Sequence, residues 1–423
     1  VVSAYDEIRT AAVQLIERRK LDVATHPDET RVAVVEAVDA YRRQAAHGAG
    51  RALVDPSEMA ERIFHAVAGF GALTDVLANP GVEEVFVEGD RVSYIERGAL
   101  HALGRPTTEA ENRRVVDRLL ADTDRHLDAA NPIVQARVLN DSARLTAVMS
   151  PVSDRLSVTI RRYALRRETL ASLVDLGSLT LPAAGFLWAA AQTDSSIVIS
   201  GPPGAGKTSL LAALVAAMPA GSCVRCCEEV RELHVPIIHG SYYEARPASL
   251  DGTGAISLRD LVKIVLAMRP DRIVVGEVRG SEAFELTRAV NAGCGFSCTV
   301  HANSAREALS ALVNAALMAG ENVTEHVVRN VFASSIDFVV HLDRDSTARD
   351  GGGLRRRVME VLSVVPSLGR DFTTEPLFVR SDLGGSLDWT GVFPPDAVAR
   401  RLQRSLPEGM TLRGVLEGRV SPL

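Results

Sequence analysis

Eight consecutive residues, Gly201, Pro202, Pro203, Gly204, Ala205, Gly206, Lys207 and Thr208, have the types and spacing needed to hold a chain of phosphates. A glycine, four residues and then Gly-Lys-Thr let backbone N–H groups wrap the anion. The Lys207 ammonium can then reach the β and γ oxygens, and the Thr208 hydroxyl can take Mg²⁺. Four acids follow downstream. Glu228, Glu229 and Glu232 form one group and Glu277 stands alone. Carboxylates near a triphosphate either hold the metal shell or polarise the attacking water. Glu277 is the first candidate for the water. Glu228 and Glu232 stand with it as acids for the water and Glu229 with Thr208 for the metal, but spacing leaves open which of the three does which. His301 completes the set, as a donor to the γ-phosphate that reports hydrolysis.

Chemistry of this kind needs elements that bring distant residues together. Ser196 to Ser200 reads as a buried parallel strand and Ser209 to Met218 as a helix stopped by Pro219 and Gly221, so the glycine loop joins strand to helix. The helix N-terminus places about half a positive charge under the anion. The strand Asp271 to Gly276 delivers Glu277 at its carboxyl end, where open α/β sheets bind ligands. Ser222 to Cys227 delivers Glu228, and Phe296 to Val300 delivers His301. A helix starting at Ser257 carries a capping box with Asp260, and another runs from Ser281 to Ala292 before Gly293.

The chain of 423 residues is too long for one ordinary core. Residues 1–68 read as a helical segment, with Tyr5, Ile8, Ala12, Leu15 and Ile16, then Val34, Val35, Val38 and Tyr41, at helical spacing. Residues 69–165 read as a small α/β domain, with strands at Glu84–Glu88, Val92–Glu96, Arg144–Met149 and Ser157–Arg161 around a helix at Asn112–Asp122. A basic linker over 166–177 leads to a doubly wound α/β domain over 178–345. Gly351 to Gly353 then read as a flexible joint before an appendage over 346–423.

With 46% apolar and 24% charged residues the composition is that of a soluble globular protein, and the net charge of −6 argues against a dedicated nucleic-acid binder. No apolar run is long enough to span a membrane and no secretory leader stands at the start, so a cytoplasmic location is expected. Val1 in place of an initiating methionine points to a truncated chain or an alternative start. Lys20, Lys207 and Lys263 are the only lysines, which sets the loop lysine apart. The five cysteines include Cys223, Cys226 and Cys227 on one apolar run. They read as reduced, buried strand residues, because no second pair completes a tetrahedral zinc set.

The segments Gly201–Thr208, Glu228–Leu233, Arg269–Gly280 and Thr299–Ser304, in this order and spacing, resemble the Walker A, Asp, Walker B and His boxes of the secretion-superfamily ATPases of type II secretion, type IV pili and type IV secretion. Gly69–Leu77, Asp141–Arg144 and Thr159–Tyr163 look like signatures of the CpaF/TadA-like branch that assembles Flp (tight adherence) pili.

The resemblance implies a RecA-like P-loop ATPase domain behind a small α/β N-terminal domain. It also implies ATP and Mg²⁺ as cofactors and a homo-hexamer docked on inner-membrane platform proteins at the inner face of the membrane. Arg144, Arg161 and Arg162 would reach the nucleotide cleft or a neighbouring subunit. A conjugation-type DNA-transfer ATPase is the alternative. Three positions depart from the family pattern: Glu229 where an Asp is usual, Ala267 where an Arg is common, and Cys294 where a His is frequent.

Overall fold

A computed structural model of the chain describes all residues except 1, 2, 24, 49, 50, 97, 141, 163–167, 234, 247, 249–252, 292, 321–323, 346–354 and 368–370. The basic stretch at Arg166 and Arg167, Asp141, Tyr163 and the triglycine at 351–353 therefore lie outside the described residues. The chain divides into two compact units, Val1–Ala164 and Leu165–Leu423.

The first unit opens with three helices, α1 (Ala4–Arg18), α2 (Pro27–Ala46) and α3 (Pro56–Ala68). They close over a small core of their own, built by Tyr5, Ile8, Ala12, Val34, Ala37, Val38, Tyr41 and Ile63. The spacing of three and four that marked these residues in the sequence puts them on the shared face. A short helix α4 (Thr74–Ala78) precedes β1 (Val82–Glu88), β2 (Arg91–Glu96) and β3 (Ala99–Ala102). Helix α5 (Glu109–Leu120) carries a full capping box between Thr108 and Glu111, and β4 (Ile133–Val138), β5 (Ala143–Val148) and β6 (Ser157–Arg162) complete the unit. The six strands form one antiparallel sheet in the order β3-β2-β1-β6-β5-β4. Alternation gives the sheet one apolar face, where Val85, Val87, Leu145, Ala147, Val158 and Ile160 meet Val115, Val116 and Leu119 of α5.

The second unit begins inside the expected linker. Helix α6 (Leu170–Asp175) buries Leu170 and Leu173 in the core of this unit. Helix α7 (Leu181–Ala191) is apolar all round and correspondingly buried. There follow β7 (Ile197–Ser200), α8 (Lys207–Ala216), β8 (Val224–Glu228), β9 (Gly240–Glu244), α9 (Leu258–Leu266), β10 (Arg272–Val278), α10 (Glu282–Asn291), β11 (Gly295–Val300), α11 (Ala305–Leu317), α12 (Glu325–Ser335) and β12 (Phe338–Asp345). The strands β12-β7-β11-β10-β8-β9 run parallel. Side chains alternate between two cores. Ile197 and Ile199 face α7 and α8, whereas Val198 faces the layer of α9, α10, α11 and α12. Burial on both faces is why these strands read as unbroken apolar runs.

The sequence divides the chain at 345, but the sheet continues past that point. Strands β13 (Arg355–Val365), β14 (Thr373–Arg380) and β15 (Leu387–Trp389) add antiparallel beyond β12 to give nine strands. Helices α13 (Asp396–Ser405) and α14 (Leu412–Leu416) pack Leu402, Leu412, Val415 and Leu416 into the same core as α7. Residues 355–367 and 371–423 are thus built onto the parallel sheet through shared ladders and a shared core. Cys226, Cys227, Cys294 and Cys298 are buried and free, Cys223 is half-buried and free, and burial pushes the Cys227 thiol up to about 12. No described helix is long and apolar enough to cross a membrane.

Candidate functional site

The glycine loop leaves β7, a strand with neighbours on both edges, and enters α8. Its shape depends on glycine at two points. Gly201 has φ of 151°, and a Cβ there would stand 2.4 Å from the Leu342 carbonyl oxygen of β12. Gly206 takes the left-handed conformation, with φ of 94°, as the residue preceding α8. Lys207 is 7% exposed and folds into the loop, where Nζ donates to the carbonyls of Gly201 at 2.9 Å and Pro202 at 3.1 Å. Pro202, Pro203 and Gly204 form the outer rim, Ala205 is buried, and Ser209 is half-buried on the first turn of α8.

Strand order brings the other groups to this lysine. Because β11 lies between β7 and β10, His301 at the carboxyl end of β11 stands between Lys207 and Glu277. Lys207 Nζ is 3.1 Å from His301 Nδ1, and His301 Nε2 is 2.6 Å from Glu277 Oε1. Residues 94 and 24 positions apart in sequence thus form one line. Glu277 Oε2 accepts a hydrogen bond of 2.7 Å from Arg279. Burial acts to raise the Glu277 carboxyl, but the Arg279 hydrogen bond and the charges of His301, Arg279 and Lys207 outweigh it and hold the group below its ordinary value. Oε1 is buried without an aligned hydrogen bond, with His301 Nε2 2.6 Å away. An ionised carboxylate at this position is chemically a proton acceptor.

The three acids after β8 separate into different environments. Glu232 is half-buried, and its Oε2 lies 3.4 Å from the Thr208 hydroxyl. Glu229, expected on the metal with Thr208, is exposed and adds to the negative field around Arg279. The structure places Glu232 at the Thr208 hydroxyl instead. Glu228, expected among the water-activating acids, is 3% exposed and turned under the following turn. Its Oε1 accepts from the backbone N–H groups of Glu232 at 3.1 Å and Leu233 at 3.3 Å. It is a positioning residue that fixes the segment carrying Glu232. Burial pushes its carboxyl up to about 7, against the lowering effect of those two donors. Gly276 makes room for it, since a Cβ there would be 2.7 Å from Glu228 Cγ.

The donors present fit a nucleotide with a hard cation. The loop combines a folded-in ammonium with a helix N-terminus, and the Thr208 hydroxyl and Glu232 carboxylate are oxygen ligands suited to Mg²⁺. Among the described residues no group of three or more His, Cys, Asp or Glu side chains could hold a metal alone. The ion would therefore be shared with phosphates, as Mg²⁺ commonly is.

The arginines of the first unit behave differently from one another. Arg144 and Arg161 are cross-strand partners on β5 and β6, and Arg137 pairs with Arg144 from β4, so the three stand in a row on one face. Arg161 lies 3.5 Å from Glu84 and Arg144 donates to Gln135 at 3.1 Å. Arg162, expected at the nucleotide cleft or a neighbouring subunit, donates to the carbonyls of Leu77 at 2.8 Å and Asn79 at 2.9 Å within its own unit. Arg279 and Gly276 carry functions that no sequence argument assigned, although both fall inside the segment 269–280. The Val-Arg-Gly that follows Glu277 was the available signal.

The model of the type II/IV secretion system protein family matches residues 72–361. The chain belongs to that family. A Mycobacterium tuberculosis protein whose name provisionally assigns it to conjugal transfer is 31% identical over 315 residues, covering 72% of this chain and 87% of its own length. The type IV secretion system protein PtlH of Bordetella pertussis is 31% identical over 274 residues, covering 56% of this chain and 76% of PtlH. The crystal structure of the pilus retraction motor PilT with bound ADP superposes with a TM-score of 0.50 at 14% identity, over 83% of this chain and 86% of PilT. At that identity the likeness is one of fold, and the fold is the RecA-like one expected.

Proposed function

We propose that the protein is a Mg²⁺-dependent ATPase that works as a cytoplasmic homo-hexamer on an inner-membrane platform, of the kind that assembles Flp-type pili or drives secretion. The observation that carries the hydrolytic part is the line Lys207–His301–Glu277, in which a phosphate-binding ammonium, a ring donor and an ionised carboxylate meet within 3.1 and 2.6 Å. Lys207 and the loop backbone bind the phosphates. Thr208 and Glu232 would hold Mg²⁺, which would supply charge neutralisation on the phosphates. Glu277 takes the proton from the attacking water, with Arg279 keeping it ionised and oriented. His301 contacts the γ-phosphate and exchanges partners when that phosphate leaves. Arg144 and Arg161 are the candidates to reach the nucleotide of a neighbouring subunit, where an arginine can be worth about 10³–10⁵ in rate.

The relative in Mycobacterium tuberculosis, by its name, favours a second reading, a DNA-transfer motor. One experiment separates the two. ATP hydrolysis by the purified protein is measured alone, with membranes carrying its platform partners, and with single-stranded DNA at two salt concentrations. Stimulation by the membranes supports the platform motor, and salt-sensitive stimulation by DNA replaces it with the DNA-transfer reading. Absence of any ATP turnover under all conditions would overturn both. In the genome, prepilin-like reading frames and multi-span membrane proteins beside this gene would favour the Flp-type branch.

A further inference from the structure

Two arginines reach the phosphate loop from the side opposite the hydrolytic groups. Arg344 of β12 and Arg356 of β13 are direct cross-strand partners, so both side chains leave the same face of the sheet. That face is turned to the loop. A Cβ on Gly204 would lie 2.9 Å from a terminal nitrogen of Arg344, and a Cβ on Gly206 would lie 3.6 Å from Arg356 Cδ. Arg357, the next residue on β13, points the other way and donates to the Leu176 carbonyl at 2.8 Å. Both arginines thus flank the loop that carries Lys207. A polyanion bound to that loop would be attracted by both guanidinium groups.

The sheet order says which part of a nucleotide this is. His301 and Glu277 come from β11 and β10 on one side of β7, whereas Arg344 and Arg356 come from β12 and β13 on the other. A triphosphate whose γ end points to His301 and Glu277 must run its α-phosphate and nucleoside away from them, toward β12 and β13. On this ground we propose that Arg344 and Arg356 form a second anion-binding arm of the site, which grips the α-phosphate end of the nucleotide. This rests on the nucleotide reading above and adds binding residues to it. The arm belongs to strands that continue the nucleotide-binding sheet past residue 345, so the antiparallel extension is part of the site.

The two residues act in binding and are remote from the reacting bond. Arg344→Ala and Arg356→Ala in the full-length protein should each weaken ADP binding, read by calorimetry, by about tenfold or more, as expected for loss of a charge-assisted hydrogen bond. The KM for ATP should rise similarly while kcat stays within about threefold of the parent. Arg344→Lys, which keeps the charge, should recover part of the affinity. Inorganic pyrophosphate, which can fill the β and γ positions alone, should bind the parent and the alanine variants with about equal affinity. Urea midpoints equal to that of the parent are expected. ADP affinities within twofold of the parent in both alanine variants would overturn the inference. So would a loss of affinity that tracks a fallen urea midpoint and is not recovered by lysine. A parent protein that binds neither ADP nor ATP would instead sink the nucleotide reading itself.

Discussion

Replacing Glu228 by glutamine removes one ionisable group from the floor of the site while preserving its shape. Glu228 is 3% exposed, and burial raises its carboxyl from 4.5 to about 7 in the folded protein. The sign follows from linkage. A raised folded value means the native state holds its proton longer than the unfolded chain does. The group's contribution is therefore fully present below pH 4.5 and is lost as pH rises through 7. With these two values the loss between pH 5 and pH 8 comes to about 2–3 kcal/mol. Trp188 and Trp389, the two tryptophans, both lie in the second unit with Glu228, so intrinsic fluorescence during urea unfolding reports on the correct unit. The quantity to follow is the stability of the parent minus that of Glu228→Gln at a series of pH values. Other groups titrate in both proteins and cancel, and any fixed cost of presenting an amide to the Leu233 N–H shifts the curve without tilting it. The difference should fall by about 2–3 kcal/mol from pH 5 to pH 8. A flat difference, or one that rises with pH, would show that the two backbone donors outweigh burial and that the physical account of this residue is wrong.

Glu277→Gln should lower kcat for ATP by about 10²- to 10⁴-fold and leave ADP affinity nearly unchanged, measured by steady-state turnover and calorimetry. Near-parent turnover with retained binding would remove Glu277 from the role of base. Lys207→Ala should instead abolish measurable nucleotide binding, because its ammonium is the charge folded into the loop. Gly201→Ala places a Cβ 2.4 Å from the Leu342 carbonyl at a backbone angle that favours glycine, and a fall of several kcal/mol in the urea-derived stability of the second unit is expected. Thr208→Ala should reduce turnover in a way that raised Mg²⁺ partly restores, as read from Mg²⁺ titrations of activity.

Much of the fold was legible because its signals are local. The apolar runs at Ile197–Ser200, Arg272–Val275 and Gly295–Val300 are buried on both faces, and such strands can hardly read otherwise. The capping box at Ser257 and Asp260 announces α9, and Ser304 caps α11. Strands β9, β14 and β15 were not legible. They are short or only partly buried, so no unbroken apolar run marks them as strands. The division expected at 345 rested on a local signal alone. A glycine-rich stretch looks like a boundary in sequence, yet the ladder between β12 and β13 spans it.

The sequence by itself determined the chemistry on offer: a phosphate loop with one buried lysine, a hydroxyl for a metal, acids at the ends of two strands and a histidine at the end of a third. Motif spacing suffices for this because the backbone geometry of a strand–loop–helix turn is local. Which acid does what was decided only by the tertiary structure. Glu228, Glu229 and Glu232 are within five residues of one another, yet one is buried under two backbone donors, one is exposed and one meets Thr208. The order of the parallel strands put His301 between Lys207 and Glu277, and the antiparallel extension brought Arg344 and Arg356 to the loop. These are contacts between residues 24 to 150 positions apart, and only the packing of a whole sheet can select them.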